Sequence, residues 1–530
     1  MTATGGYHSA GIGGSDKQDG QVTITGGEII ANGGSQGAGI GGGAGDTDAV
    51  GGDGDVTISG GTITATGGSL GAGIGGGAYG NGTVTVTDGD ITAKATDNYG
   101  AGIGGGFGAI PKDTLIGGNG TITISGGTIT EASGGYMAAG IGSGYQGLGT
   151  VTIEGDAVIK NAQGGEAGAG IGSGTDGDSN ILIRGNAIIE NAESKTGGAG
   201  IGSGQGFLYY DDDIEETIID KTVGNVTIEG NAKIENAKSG YGGSGIGGGA
   251  IGIGNVIIRG NAQIGNATGG EEGAGIGGGA LGTGDVTIEG NVTIENAQGG
   301  AGAAGIGGGA ETEPDTEDTR NKVSIKSTEA GSPNITATGG GVLNDENYPL
   351  AGAAAIGSGS VADGATEVKS DITIEGKVTI NATGGGDVAI GDSTNGETQF
   401  SGLQVGTTIT RRNAKGDDVS QPGDVVREQA PTETEAAEVE RPVTVEGLYV
   451  TNVLGKQITH TCTQNGTTLT IRANGIVASA HLTLGMVRTL KAQGVKTLVF
   501  TTLLSHSTTV SVDALLAAEP DAPDETAVVW

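Results

Sequence analysis

Apolar and polar residues alternate in short runs that return along the whole N-terminal part of the chain. In Val151-Thr-Ile-Glu-Gly, Val151 and Ile153 alternate with Thr152 and Glu154. A period of two with β-branched residues predicts a strand with one buried face. Asp156-Ala-Val-Ile-Lys-Asn-Ala-Gln-Gly-Gly follows, with Ile159 as its apolar residue, and Glu166-Ala-Gly-Ala-Gly-Ile-Gly-Ser-Gly closes the unit around Ile171. Glycine, asparagine and aspartate separate the three segments and predict turns. The closing phrase and its close variants return around Ile12, Ile40, Ile74, Ile103, Ile141, Ile171, Ile201, Ile246, Ile276, Ile306, Ile356 and Ile390. The commonest interval is 30 residues, as from 141 to 171 to 201. Three short strands per fixed period, with no helical pattern between them, predict an all-β stack: a parallel β-helix of about twelve coils over residues 1–412.

A single coil buries too few aliphatic side chains to offset the entropy of ordering its backbone, so the coils must stack to fold. Hydrogen bonds then run from coil to coil at about 4.8 Å. Two coil variants alternate in blocks. One reads Gly-Gly-x-Ile-x-Ala-x-Gly-Gly, as from Gly60 to Gly68; the other reads Gly-Asn-Ala-x-Ile-Glu-Asn-Ala, as from Gly230 to Ala237. The second inserts Asn161, Asn191, Asn236, Asn266 and Asn296, which suit a bend in the left-handed conformation and a ladder of side-chain hydrogen bonds. The Ala-Gly-Ile-Gly-Gly-Gly phrase lacks the following Lys-Ser/Thr and helix of a phosphate loop, so it reads as a tight coil edge with isoleucine inside.

Composition narrows the class. Glycine supplies 118 residues, but without a three-residue period and with nine prolines, which excludes collagen. The net charge of -36 argues against nucleic acid and anionic membrane surfaces, and against an acidic polysaccharide unless Ca²⁺ bridges the two. Cys462 alone rules out an internal disulfide framework. No apolar run of about 18 residues is present, so no membrane insertion is expected. There is no signal-peptide pattern, and Met1-Thr-Ala-Thr-Gly-Gly matches the middle of the later unit at Ile63-Thr-Ala-Thr-Gly-Gly. The expectation is a fragment of a longer, exported protein.

Departures from the repeat carry the candidate chemistry. Insertions at Phe107–Ile116, Phe207–Val223 and Glu311–Asn334 start at one offset after the Gly-Ile-Gly phrase, which predicts that all three emerge from one edge; Val342–Leu350 precedes the phrase of its own coil. Loops on one face of a repeat protein commonly carry its binding function. The same slot holds Tyr79, Phe107, Tyr145 and Phe207, and a second slot before the isoleucine holds Tyr7, Tyr99, Tyr136 and Tyr241. Aromatic residues make up only 3% of the chain, so this grouping points to a ladder of rings, suited either to stacking on sugars or to packing on itself. Tyr209 and Tyr210 precede Asp211, Asp212, Asp213, Glu215 and Glu216. Those carboxylates suit Ca²⁺ at Asp211, Asp212 and Asp213, or the paired acids of a glycoside hydrolase, or a solvated loop. Gly51–Val56 and Gly117–Ile122 match the Ca²⁺-binding nonapeptide only in part. His8 is the one histidine of the repeat, and His460, His481 and His506 follow it, beside Cys462, in no zinc spacing.

After Arg412 the composition changes. Residues 413–441 are polar and acidic and read as a linker, and residues 442–530 as a small α/β domain. Strands are predicted at Val443–Val450, Leu469–Arg472 and Val495–Phe500. A helix is predicted over Ala478–Gln493, with Leu482, Met486, Val487 and Leu490 at helical spacing and Gly494 ending it.

The recurrent Val-Thr-Ile-Ser-Gly-Gly-Thr-Ile-Thr-Ala-Thr-Gly-Gly and Gly-Ala-Gly-Ile-Gly-Gly-Gly, over about residues 1 to 400, resemble glycine-rich surface proteins of Gram-positive gut bacteria with right-handed parallel β-helices. Relatives of that kind include carbohydrate-binding adhesins, polysaccharide lyases, hydrolases and fructan transferases. The resemblance implies an extracellular or cell-surface setting and a polysaccharide or host or plant glycan as partner. The expected function is glycan binding or adhesion by a non-catalytic domain. The alternatives are a carbohydrate-active enzyme using Asp and Glu of the insert-bearing edge, or a structural stalk.

Overall fold

The computed structural model describes residues 1–45, 51–96, 99–108, 118–211, 216–310, 320–344, 349–361, 368–392, 398–426, 440–503 and 507–529. They form two compact units, Met1–Arg427 and Glu428–Trp530.

The first unit is a parallel β-helix with three strand ladders. One ladder stacks runs such as Gly149–Ile153, Ser179–Ile183 and Thr222–Ile228 in parallel register, so that Val151, Ile181 and Val226 lie above one another. The next stacks Ile188–Glu193, Lys233–Lys238 and Gln263–Thr268, placing Ile189, Ile234 and Ile264 in one column and Ala192, Ala237 and Ala267 in another. The third is a twelve-stranded ladder of Ile-Gly pairs, from Ile12–Gly13 to Ile390–Gly391. Eleven of its isoleucines have no exposed surface, and Ile12, on the first rung, packs partly buried against the same core. Period-two strands and a strictly repeated isoleucine therefore fill one continuous aliphatic interior.

Glycine is obligatory beside each marker isoleucine. From Gly13 to Gly391 these residues hold φ between +130° and +148°, and a Cβ on any from Gly13 to Gly357 would lie 1.7–2.1 Å from the carbonyl oxygen of the next rung's glycine. No L side chain fits that space or that backbone region.

The asparagine coils insert one residue into the second ladder, a bulge that begins between Ile129 and Glu131 and disappears between Ile294 and Ala297. The asparagines stack as expected: Asn236 donates to Asn191 at 3.2 Å, Asn266 to Asn236 at 3.0 Å and Asn296 to Asn266 at 3.4 Å. None of them is left-handed, contrary to the sequence expectation: Asn191, Asn236, Asn266 and Asn296 lie within the strands of the second ladder, and Asn161 between two short strands of it. A second ladder runs from Asp156 through Asn186, Asn231 and Asn261 to Asn291 at 2.9–3.2 Å. Charge alternates along a neighbouring column through Glu154, Arg184, Glu229, Arg259, Glu289, Lys326 and Glu375. Arg184 Nε donates to Glu154 at 2.7 Å and Arg259 Nε to Glu229 at 2.8 Å. In-register stacking would set like charges about 4.8 Å apart, and alternation removes that repulsion.

The solenoid extends beyond Arg412. Residues 413–426 turn back onto it, and Val425–Val426 pairs antiparallel with Thr407–Thr408 instead of entering a linker. Arg411 occupies the interior column that holds alanine in earlier coils, opposite Ala382. It is 1% exposed and bidentate to the equally buried Asp424 at 2.9–3.1 Å, with its guanidinium over the Phe400 ring. Ile409 N–H donates to Asp424 O and Gln421 N–H to the Asp424 carboxylate, so this pair ties the last residues of the first unit across its final coil.

The second unit has its own core around Val450, Leu469, Ile471, Leu482, Val487, Leu498 and Phe500. Five strands (Arg441–Pro442, His460–Asn465, Thr468–Ala473, Thr497–Thr501, Ser507–Ser511) form one sheet, and Gln457–Ile458, Tyr449–Asn452, Ala478–Thr483 and Ala527–Val529 form another. Helix α1 is Leu484–Ala492 and α2 is Val512–Ala518. The expected helix over Ala478–Gln493 is thus half strand. Ala478–Thr483 pairs with Tyr449–Asn452, burying Ala480 and Leu482 with period two, and Thr483 caps α1 by accepting from Met486 N–H. The expected strand Val443–Val450 is broken by a turn at Gly447, whose φ is +86°.

Candidate functional site

The third ladder leaves each coil through a turn that repeats in register. At its apex Lys17, Tyr79, Gln146, Asp176, Ile251 and Leu281 each have φ between +58° and +61°. Each donates its backbone N–H to a carbonyl of the following coil, as Tyr79 does to Phe107 and Gln146 to Thr175. Asparagine or aspartate tolerates this region, but a tyrosine, leucine or isoleucine there is strained. Glycine takes the equivalent position at Gly108 and Gly206, and the insertions follow directly. The shared offset read from sequence therefore corresponds to one physical edge. The insertion placed at Glu311–Asn334 is shorter than its sequence bounds: Asn321–Lys326 is the ordinary first-ladder strand of its coil.

The two aromatic slots do not survive as separate ladders. Phe107 and Tyr145 occupy equivalent positions, donating to Leu70 O and Tyr99 O, whereas Tyr79 stands one residue further along its coil. Tyr99 is likewise one residue beyond the column of Tyr136 and Tyr241. This one-residue slip brings Tyr99 into the first group. The Phe107 and Tyr145 rings are parallel within 6°, with centroids 5.8 Å apart. Tyr99 approaches them at 5.0 and 5.8 Å, Tyr79 approaches Phe107 at 5.2 Å, and Phe207 approaches Tyr145 at 6.5 Å, edge-on or tilted. All five rings are half-buried. Tyr136 and Tyr241, at 46% and 51% exposure, stand apart in a column with Glu166 and Thr196.

Phe207–Asp211 and Glu216–Asp220 form an antiparallel hairpin that rises from this edge and presents Tyr209 at 49% exposure. Tyr210, Asp211 and Glu216 belong to its strands, but their side chains lie outside the described residues, as do Asp212, Asp213 and Glu215 altogether. The Ca²⁺ and acid-pair expectations for this cluster therefore fall outside the described region. Among the described residues no group of three or more His, Cys, Asp or Glu is arranged to hold a metal ion.

The carboxylate that does adjoin the rings is Asp176, which the sequence reading passed over. Gln146 Nε2 donates to its Oδ2 at 3.0 Å. Burial pushes the Asp176 carboxyl above its ordinary value against that hydrogen bond, and the nearby Asp220 and Asp178 carboxylates push it further. Asp220 pairs with Phe207 at the base of the hairpin, and Asp178 accepts from Val223 N–H at 2.8 Å. Burial raises the Tyr145 hydroxyl as well, followed by the fields of Asp176 and Tyr99. The available signal was Asp176 itself, the only aspartate among the described residues of this column between Lys17 and Leu281, which otherwise holds Lys, Gly, Tyr, Gln, Ile and Leu.

The three-sided stack with its decorated edge defines a parallel β-helix protein. Residues 22–44, 56–78 and 122–145 match the family model described as a beta helix repeat. No curated protein and no solved structure matches the chain. Among the described residues no helix is long and apolar enough to cross a membrane.

Proposed function

We propose that the solenoid is the glycan-binding or adhesive domain of an extracellular bacterial surface protein, and that its aromatic edge makes the contact. The observation that carries this reading is the convergence of Tyr79, Tyr99, Phe107, Tyr145 and Phe207, from four different coils, into one half-buried cluster. Sugar rings stack their C–H faces on such surfaces, and Asp176 and Gln146 supply polar groups beside them. The repeated coil below is rigid, so the rings are held in place before a ligand arrives. A glycan array with the full chain tests this: binding to one or more oligosaccharides, lost in Phe107→Ala and Tyr145→Ala, is the expected result. Absence of binding across the array refutes it.

The second reading, a carbohydrate-active enzyme, draws support from Asp176. A carboxyl with raised proton affinity, with Asp178 and Asp220 near it, is the arrangement from which a general acid is built. Release of new reducing ends from the same panel, abolished in Asp176→Asn, would favour it over simple binding.

A further inference from the structure

Resting on the glycan-binding reading, we propose that the aromatic edge selects a cationic glycan, one whose sugar units carry free, protonated amines. The argument starts from what the edge offers a ligand. The ring faces of Phe107, Tyr145 and Tyr99 present negative quadrupole potential, which attracts an ammonium group within about 6 Å of a ring centroid. Asp176 stands next to Tyr145, tethered by Gln146, with Asp178 and Asp220 close enough to act on it electrostatically. Rings and carboxylates together make the surroundings of an ammonium ion, and the same three carboxylates repel a uronate.

The wider edge has the same sign. In the three registered columns of the turn, between Leu70 and Leu281, there are Asp176 and Glu272 and no lysine or arginine. Among the described residues, Lys221 adjoins Asp220 at the hairpin base as a basic residue of this edge. Residues 441–530 hold six Lys or Arg and six Asp or Glu, so the net charge of -36 resides in the solenoid and the acidic segment after it. That field draws a polycation toward the solenoid and holds off a polyanion. A neutral glycan can stack on the rings but leaves Asp176 without a counter-charge; an amino glycan satisfies both features.

The test compares three oligomers of equal length with the full chain by calorimetric titration at low salt: a glucosamine oligomer, its fully N-acetylated counterpart and a galacturonate oligomer. The glucosamine oligomer is expected to bind at least about tenfold more tightly than the acetylated one, with galacturonate weakest and the preference shrinking as salt is added. Asp176→Asn keeps the side-chain shape and tolerates the left-handed backbone, so the fold is retained. It should remove most of the amine preference while leaving binding of the acetylated oligomer nearly unchanged. Asp220→Asn, outside the coil, provides a second variant with the same expected direction. Equal or tighter binding of the acetylated or galacturonate oligomer overturns the amine selectivity and leaves glycan binding standing. Failure of all three, together with an empty glycan array, overturns both.

Discussion

Replacing Gly172 by alanine tests the physical basis of the repeat most directly. Gly172 has φ +139°, and an added Cβ would sit 1.8 Å from the Gly202 carbonyl oxygen, where ordinary contact begins at 3.4 Å. Backbone in such a region costs a non-glycine residue about 1–3 kcal/mol. Relieving the clash requires adjacent coils to separate locally, which disturbs the hydrogen bonds from Ile171 N–H to Gly200 O (3.0 Å) and from Ser173 N–H to Gly202 O (3.3 Å). At about 0.5–1.5 kcal/mol each, these bring the local cost to about 2–6 kcal/mol. Solenoid stability is a sum of neighbour terms, so the loss should be local. Hydrogen exchange read by mass spectrometry should show amides of Ile141, Ile171 and Ile201 exchanging about thirtyfold faster or more, with the effect fading by Ile276. Gly26→Ala is the control: its Cβ meets nothing within 4 Å, so exchange should be unchanged. Equal protection in Gly172→Ala and Gly26→Ala would refute the claim that glycine is required by the approach of one rung to the next.

Arg411→Ala leaves Asp424 buried and unpaired and should destabilise the last coils by about 3–5 kcal/mol, whereas Arg411→Met combined with Asp424→Leu should recover most of that; denaturant melts of the three variants decide. Arg184→Glu places a third carboxylate between Glu154 and Glu229 and should cost up to about 1 kcal/mol, less at high salt, as read from thermal melts at two ionic strengths. Burial pushes the Cys462 thiol up to about 11, so iodoacetamide should label it at ordinary pH only after unfolding; rapid labelling of the native chain would contradict its place in the core. Because the Asp176 carboxyl is raised in the folded state, that state binds the proton more tightly than the unfolded chain. Its contribution to stability should therefore fall as pH rises from the ordinary carboxylate range through the raised value, and Asp176→Asn should flatten that slope in exchange at Gln146–Asp176.

Much of the architecture was legible because the solenoid converts sequence period into spatial register. Ile171 sits above Ile141 and below Ile201 as the 30-residue interval requires, and the asparagine insertions became a ladder because the 15 extra residues between Asn191 and Asn236 leave the coil as a hairpin and do not disturb its register. The second unit was less legible. Ala478–Thr483 satisfies helical spacing together with α1, and only its pairing with Tyr449–Asn452 makes it a strand. Residues 413–426 looked like a polar linker because they dock through one buried ion pair, Arg411 with Asp424, and a short antiparallel pairing with Thr407–Thr408, from which no periodic signal arises.

The chain by itself determined the repeat, the inward isoleucines, the glycines beside them and the edge from which insertions emerge, since each follows from local pattern and a recurring phrase. Tertiary structure alone decided which aromatic residues meet and which carboxylate joins them. A slip of one residue within a coil moves a side chain to the next column, and that slip depends on how each turn packs on its neighbours. Tyr99 thereby came to lie against Phe107 and Tyr145 and not beside Tyr136, and Asp176 came to stand next to them.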